Sequence, residues 1–215
     1  MTSATGTSAA GRSIPHLGPE RSRSSGPRYR DGAMSDFLAD TTDLLGRTPN
    51  VLRALLGGID NSWTDTPDTK DGWRPRDVVG HLISGERSNY MDRAKRILEH
   101  GTSKAFDGFD RFEMLERDKG KSLDQLLSQF EKERARNLAQ LESLVDGADL
   151  DARGLHPALG EVTLRELLAT WSVHDLDHIA QIYAGMAGSR EAAVGPWKQY
   201  LGILLRREDP SAVPA

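Results

Sequence analysis

The sequence has no cysteine, which excludes disulfide bonds, a thiol nucleophile of the protein's own and thiolate metal sites. It also has no apolar run approaching the roughly 18 residues that read as a transmembrane helix. Positive charge is not in excess, because 28 basic residues face 32 acidic ones and the net charge is −4. Nucleic-acid-binding domains are usually basic. We therefore expect a cytoplasmic protein with no nucleic-acid partner and no membrane-spanning segment.

The first 33 residues differ in composition from the rest of the chain. They are rich in Ser, Thr, Gly, Pro and Arg, and five arginines against Glu20 and Asp31 give them a charge of +3. Such a segment buries too little apolar surface to offset its ordering entropy. We expect a disordered leader over 1–33, one domain over 34–207 and a flexible tail over 208–215. One hypothesis is that translation starts at Met34.

Apolar residues recur with helical period along the domain and predict an all-α fold. The expected helices are an interrupted one over 35–57, a second over 75–100, a third that Ser122 caps, a fourth from Thr163 to about Gly185 and a short last one over 196–205. Ser122 and Thr163 each precede Gln or Glu by three residues, which is a capping box. No convincing strand pattern is present, and the charged segment 131–137 reads as solvated. Four main helices with two long connections predict a four-helix bundle.

His174 and His178 are the most informative pair of residues in the chain. They lie one helical turn apart, within roughly 40° of each other on the helical wheel, and share the face that Leu167 and Trp171 turn toward the core. Two imidazoles so placed can bind one metal ion. The alternative is a pair of hydrogen-bonded core histidines, which is common.

His81 is the best candidate for a third ligand. It lies in the apolar stripe Val78, Val79, Leu82 and Ile83 of the second helix. Gly85 follows one turn later, where it either leaves room for a ligand or allows close helix packing. Three histidines from two facing helices form a cap that leaves metal positions open. The remaining histidines fit less well, although His156 could line the mouth of a pocket.

The order and spacing of several short motifs resemble the DinB/YfiT-like superfamily. The motifs are Trp73-Arg74-Pro75, Val78-Val79-Gly80-His81-Leu82, Thr163-Leu164-Arg165-Glu166-Leu167-Leu168, Trp171, His174-Asp175-Leu176-Asp177-His178-Ile179-Ala180-Gln181-Ile182 and Val194-Gly195-Pro196-Trp197-Lys198-Gln199-Tyr200-Leu201. The resemblance covers about 34–205. It implies a four-helix bundle with up-down-down-up connectivity, long loops and a short C-terminal helix. It also implies a divalent metal held by His81, His174 and His178.

Three neutral imidazoles leave the full charge of the ion available to activate a nucleophile. Related members use such sites to activate a low-molecular-weight thiol, which implies an S-transferase or isomerase. Hydrolysis needs the same ligands, and a non-catalytic metal-binding or stress-response protein is a further alternative. Imidazole ligands suit Zn or Ni. A small-molecule substrate and a thiol cosubstrate are the expected ligands.

Residues around the histidines are expected to support or line the site. Asp175 and Asp177 are expected to be ordinary surface charges or, alternatively, to support a ligand histidine, and Gln181 is a candidate for contact to a metal-bound ligand. Glu86 is expected to point elsewhere, and both Trp73 and Trp171 are expected to pack, with lining a pocket as the alternative. Family members are often dimers, and an exposed loop with Phe106, Phe109 and Phe112 could cover a homodimer interface or fold back on its own bundle.

Overall fold

A computed structural model describes residues 33–208 of the chain. The expected leader and tail therefore lie outside the described residues, apart from their innermost positions. The helices are α1 Ala33–Leu56, α2 Pro75–Ser88, α3 Tyr90–His100, α4 Glu113–Arg117, α5 Leu123–Val145, α6 Leu164–Gly188, α7 Glu191–Val194 and α8 Gly202–Glu208. The strands are β1 Arg153–His156 and β2 Gly160–Thr163, and short 3₁₀ turns span Asn61–Trp63, Gly101–Ser103 and Gly195–Tyr200.

The core of the protein is a four-helix bundle, as the sequence predicts. Helices α1 and α2 each pack against both α5 and α6, so α1 and α2 lie diagonally across the bundle. One core cluster joins the first half of α1 to α3, the end of α5 and the start of α6. The other joins the end of α1 to α2, the start of α5 and the end of α6. Helices α1 and α6 therefore run one way while α2–α3 and α5 run the other, which is an up-down-down-up order.

Two helix starts follow the predicted capping boxes. Ser122 Oγ accepts from the Gln125 amide, and the Gln125 side chain accepts from the Ser122 amide, so two otherwise unpaired N–H groups are satisfied at the start of α5. Thr163 and Glu166 do the same for α6. Helix α6 then extends to Gly188, three residues beyond the expected end.

Helix α1 is continuous through Pro49, so the expected interruption within 35–57 is wrong. Proline lacks the N–H that would bond to the carbonyl four residues earlier, here that of Leu45. The Arg134 guanidinium donates to this carbonyl instead, at 2.7 Å from Nη1 to O. The tertiary contact replaces the missing helical bond, which explains how α1 accommodates an internal proline.

The expected single helix over 75–100 is divided at Asn89. Its backbone leaves the helical region, with φ −127° and ψ −83°, between α2 and α3. The hydroxyls of Ser84 and Ser88 donate to the carbonyls four residues before them, a pattern that bends helices. The bend brings the side of α3 alongside α6.

A β-hairpin lies in the connection between α5 and α6, so the expectation of no strand is wrong. Strands β1 and β2 are antiparallel, with Arg153 opposite Thr163 and His156 opposite Gly160. Four residues per strand are too few to show an alternating pattern. The expected last helix over 196–205 is also altered, because a 3₁₀ turn over 195–200 precedes α8. Within 33–208, no helix is long and apolar enough to cross a membrane.

Candidate metal centre

Three histidine side chains from two helices converge at one point in the bundle. His81 lies in α2, and His174 and His178 lie one turn apart in α6. The Nε2 atom of His174 is 3.3 Å from that of His81 and 3.0 Å from that of His178. Ligand atoms of all three histidines lie within 4.8 Å of one another. The structure thus brings together the three residues that the sequence indicates as a metal-ligand set.

The environment of these rings favours the neutral imidazole. Burial, and then the neighbouring His178 ring, lower the pKa of His81 from its ordinary 6.5 to about 4. Burial again is the main cause for His174, whose pKa falls to about 3 with further contributions from His178 and His81. A neutral imidazole keeps a nitrogen lone pair free to bind a metal. Little proton competition is therefore expected at these two ligands near pH 7.

Gln181 fixes the orientation of the third ring. Its Oε1 atom lies 2.7 Å from Nδ1 of His178, so Nδ1 carries the proton and donates it to the amide oxygen. The lone pair of His178 is then on Nε2, which faces the other two histidines. Hydrogen bonds of this kind set the tautomer and the orientation of metal-binding histidines. Asp177 is exposed and lines the adjacent cavity, and it makes no hydrogen bond to any of the three histidine rings.

The donor set fits a divalent metal ion. Three Nε2 atoms at these distances cannot all be satisfied by hydrogen bonds to one another, because a neutral ring carries only one N–H. Nδ1 of His81 and Nδ1 of His174 are buried without a hydrogen-bond partner, so unlike His178 these two rings have no hydrogen bond at Nδ1 that sets the tautomer. Three imidazole nitrogens from one side suit Zn or Ni and leave positions open on the other.

A cavity of about 1190 Å³ opens beside the three histidines. Aromatic rings form its walls next to the site: Trp73 lies 4.7 Å from His81 between ring centroids, Phe109 lies 5.6 Å from His81, and Tyr90 lies 5.5 Å from His174. The cavity is large enough for a small-molecule ligand. Trp73 therefore lines a pocket, which is the alternative to its expected packing.

Gly85 does not line this cavity. A Cβ atom at Gly85 would meet the Tyr90 ring at 3.5 Å, so the space beside this glycine is filled by the start of α3. The Tyr90 ring thus lies at ordinary contact distance from this position, and the expected room for a ligand beside Gly85 is wrong. His156 is likewise outside the cavity lining: its Nδ1 accepts from the amides of Ala158 and Leu159 and closes the β-hairpin turn.

The phenylalanine loop folds back onto its own bundle. Phe106 is 5% exposed and belongs to the core, so the expectation that it is exposed is wrong. Phe109 contacts His81, whereas Phe112 is 57% exposed and lies edge-on to Trp73.

A buried polar network next to the histidines was not expected from the sequence. Arg134 of α5 pairs with Glu86 of α2 at 2.8 Å and with Asp175 of α6 at 2.6 Å, and the three side chains are 1% exposed. Glu86 also accepts from Asn137 Nδ2 at 2.9 Å and from Trp171 Nε1 at 3.0 Å. Arg134 and Asn137 are therefore not solvated, and Asp175 is not a surface charge. The Glu86 carboxylate is engaged in this network and makes no hydrogen bond to the three histidines, in line with the expectation that it points elsewhere.

One stacking contact connects this network to the histidines. The Tyr90 ring stacks on Trp171 at 5.0 Å and 4°, and its edge meets His174. The sequence does carry a signal for the buried network. A three- and four-residue spacing, typical of the core-facing side of a helix, connects Arg134 and Asn137 to the apolar residues Leu127, Phe130 and Leu141.

The fold and the site together define an all-α bundle protein with a three-histidine candidate metal centre. The sequence model of the DinB superfamily matches residues 44–182. The chain belongs to the DinB superfamily, which confirms the resemblance seen in the motifs.

Two known proteins are similar to this chain, the first in sequence and the second in fold. The protein named "Putative metal-dependent hydrolase GK0616" from Geobacillus kaustophilus (strain HTA426) is 27% identical over 165 residues, which cover 72% of this chain and 85% of that protein. YfiT from Bacillus subtilis is described as "a probable metal-dependent hydrolase with an unusual four-helix bundle topology". It shares the fold with a TM-score of 0.61 at 24% identity, over 82% of this chain and 95% of its own.

Proposed function

We propose that this protein is a metal-dependent enzyme that activates a small nucleophile against a small-molecule substrate. The observation that carries this proposal is the convergence of three Nε2 atoms beside a cavity of about 1190 Å³. In the proposal, His81, His174 and His178 hold the ion, and Gln181 orients His178. A divalent ion bound there lowers the pKa of a neighbouring water or thiol, so that the nucleophile is available near neutral pH.

The chain's own residues supply the rest of the proposed site. Burial keeps His81 and His174 neutral, which keeps both available as ligands. Trp73 and Phe109 cover one side of the histidines with apolar surface and restrict the access of bulk water. Electrostatic effects on a bound substrate are stronger in such a site than in water.

Hydrolysis is the first candidate reaction. It is supported by the names of the two relatives and needs no nucleophile other than water. In this proposal the ion is Zn or Ni, and the substrate is an ester or amide small enough to enter the cavity.

Thiol transfer is the second candidate, and the size of the cavity favours it. A volume of about 1190 Å³ exceeds the usual range for a single small ligand, so there is room for a substrate and a low-molecular-weight thiol together. The sulfur would come from this cosubstrate, since the chain has no cysteine.

The test is to assay zinc- and nickel-loaded protein in parallel on esters and amides with water, and on an aryl halide with common cellular thiols. Hydrolysis or adduct formation that disappears in His174→Ala, and persists in His156→Ala, supports the proposal. His156 is the matched control because it lies outside the cavity. Turnover that is the same in His174→Ala and in the wild type contradicts it.

A further inference from the structure

The start of α3 forms a polar wall in the cavity beside the three histidines. Asn89, Tyr90 and Arg93 all line this cavity. Tyr90 brings the wall close to the candidate metal centre, since its ring lies 5.5 Å from that of His174. Asn89 and Arg93 are four residues apart at the start of α3, so they lie on one side of it. A ligand at the histidines is therefore within reach of this wall.

Arg93 is a half-buried cation without an acidic partner. Its guanidinium lies 5.3 Å from the centre of the Phe106 ring, and its side chain makes no hydrogen bond or ion pair to residues 33–208. Burial lowers the pKa of Arg93, which reflects the cost of removing a charge from water. The cation–π contact offsets only part of this cost.

The neighbouring arginines are engaged, in contrast to Arg93. Arg96, one turn along α3, pairs with Asp107. Arg207, which also lines the cavity, donates to the carbonyls of Pro67 and Asp68 and pairs with Glu191. Of the half-buried arginines in the cavity lining, Arg93 is thus the one whose guanidinium is free of hydrogen bonds to the described residues.

Asn89 adds an unsatisfied polar group to the same wall. Only 7% of Asn89 is exposed, and its Oδ1 atom is buried without a hydrogen-bond partner. An unpaired buried polar atom loses its hydrogen bonds to water without replacement, so native proteins rarely retain one without a reason. Its amide makes no hydrogen bond to the described residues, so either end can face a ligand. The amide can thus donate N–H to an oxyanion or accept from an adjacent hydroxyl.

We propose that Arg93 and Asn89 form a recognition subsite for a carboxylate of the substrate, whose reactive group lies at the three histidines. A planar guanidinium matches a carboxylate with two parallel hydrogen bonds. One cation and one neutral amide balance a single negative charge, which favours a carboxylate over a phosphate. The aspartates that line the cavity form no ion pair with Arg93 and leave it available: Asp68, Asp71 and Asp177. This proposal rests on the proposed function, because it places the reactive group at the metal centre.

The experiment compares two ligands that share a metal-binding hydroxamate and differ only in the charge of their tail. One is the monohydroxamate of a dicarboxylic acid with two to five methylene groups, and the other is its neutral carboxamide. Calorimetric titration of the zinc-loaded full chain gives both affinities. We expect the carboxylate to bind at least about tenfold more tightly at the best length, as a charge-assisted hydrogen bond implies.

Substitution then assigns this preference to residues. Arg93→Gln is expected to abolish the preference for the carboxylate while it leaves the affinity for the carboxamide within about twofold. Asn89→Ala is expected to reduce the preference by a smaller factor. Arg206→Gln is the matched control, because it removes an exposed positive charge from the same cavity lining. Equal losses in Arg93→Gln and Arg206→Gln would attribute the preference to overall charge and overturn the assignment to Arg93.

The outcomes also separate this proposal from the proposed function. If the carboxamide binds the wild type but not His174→Ala, the metal centre stands. Absence of a carboxylate preference at every tail length then overturns the subsite alone, and tighter binding of a phosphonate tail overturns the choice of carboxylate. If neither ligand binds the zinc-loaded wild type, the proposed function fails and the subsite fails with it.

Discussion

The Nε2 atoms of His81 and His174 lie 3.3 Å apart, although 93 positions separate the two residues in the sequence. The packing of α2 against α6 produces this contact, and His178 extends it one turn further along α6. Rings that burial holds neutral, with their Nε2 atoms facing one another, favour a cation between them.

Gln181→Leu should weaken metal binding without abolishing it. The substitution removes the acceptor at 2.7 Å from His178 Nδ1, so the ring loses the bond that fixes its tautomer. Loss of such a contact typically lowers metal affinity about 10- to 100-fold. Competition with a chelator of known affinity measures the change. Asp177→Asn is the control, since Asp177 makes no hydrogen bond to the three rings, and an equal loss in both variants would contradict the role of Gln181.

The metal-free protein should lose stability as the pH falls from about 6.5. The pKa values of His81 and His174 are about 4 and about 3 in the folded state, below the ordinary 6.5, so the unfolded state binds more protons between these limits. A shift of this size in one histidine corresponds to about 3 kcal/mol when the titration is complete. Urea unfolding at pH 7 and pH 4.5 measures the change.

His81→Gln is the matched variant for this pH dependence. The substitution removes the titration of His81 and leaves that of His174. The carboxylates, which also titrate in this pH range, are the same in both proteins. The free energy of unfolding should therefore fall less between pH 7 and pH 4.5 in the variant than in the wild type. An equal fall in both proteins would show that His81 is not held neutral by the fold.

Arg134→Leu should destabilise the protein by about 3–5 kcal/mol, because it leaves Glu86 and Asp175 buried without their cation. It also removes the donor to the Leu45 carbonyl beside Pro49. Arg47→Ala breaks an exposed pair with Asp43, which solvent screens, and should change stability far less. Urea unfolding compares the two variants, and similar small losses would refute the structural role of the buried network.

Two glycine substitutions should change stability in opposite directions. A Cβ atom at Gly185 would lie 2.8 Å from the Thr66 carbonyl oxygen and 3.0 Å from Pro75, so Gly185→Ala should destabilise by about 1–3 kcal/mol. At Gly46 in α1 the nearest atom, on Leu138, is 3.7 Å away, and Gly46→Ala should stabilise by about 0.5–1 kcal/mol. Thermal unfolding distinguishes the two, and a shift of the same sign in both would contradict the packing around α6.

Local sequence signals were sufficient to predict the bundle and the histidine cluster. Each capping box, at Ser122 and at Thr163, lies within four consecutive residues, and the core-facing period places His174 and His178 together. His81 was identified because it interrupts an apolar stripe. Capping boxes and helical periods are local patterns of residues, so they can be recognised in a single sequence.

Features set by tertiary contacts were missed. Arg134 donates to the Leu45 carbonyl, which Pro49 leaves without its helical N–H donor. The continuity of α1 therefore depends on a side chain 89 positions away from Leu45. The same guanidinium neutralises Glu86 and Asp175, which turns apparent surface charges into core residues. No proline or glycine at Asn89 indicates a bend in the sequence. The bend nevertheless positions the start of α3, which forms a wall of the cavity.

Metal analysis of the purified protein tests the central claim most directly. Wild type, His81→Ala, His174→Ala and the control His156→Ala are loaded with zinc or nickel, desalted and measured by elemental mass spectrometry. We predict about one ion per chain in the wild type and in His156→Ala, and far less in the other two, because each loses one of three ligands. Stoichiometric metal in both His81→Ala and His174→Ala, or none in the loaded wild type, would contradict the three-histidine centre.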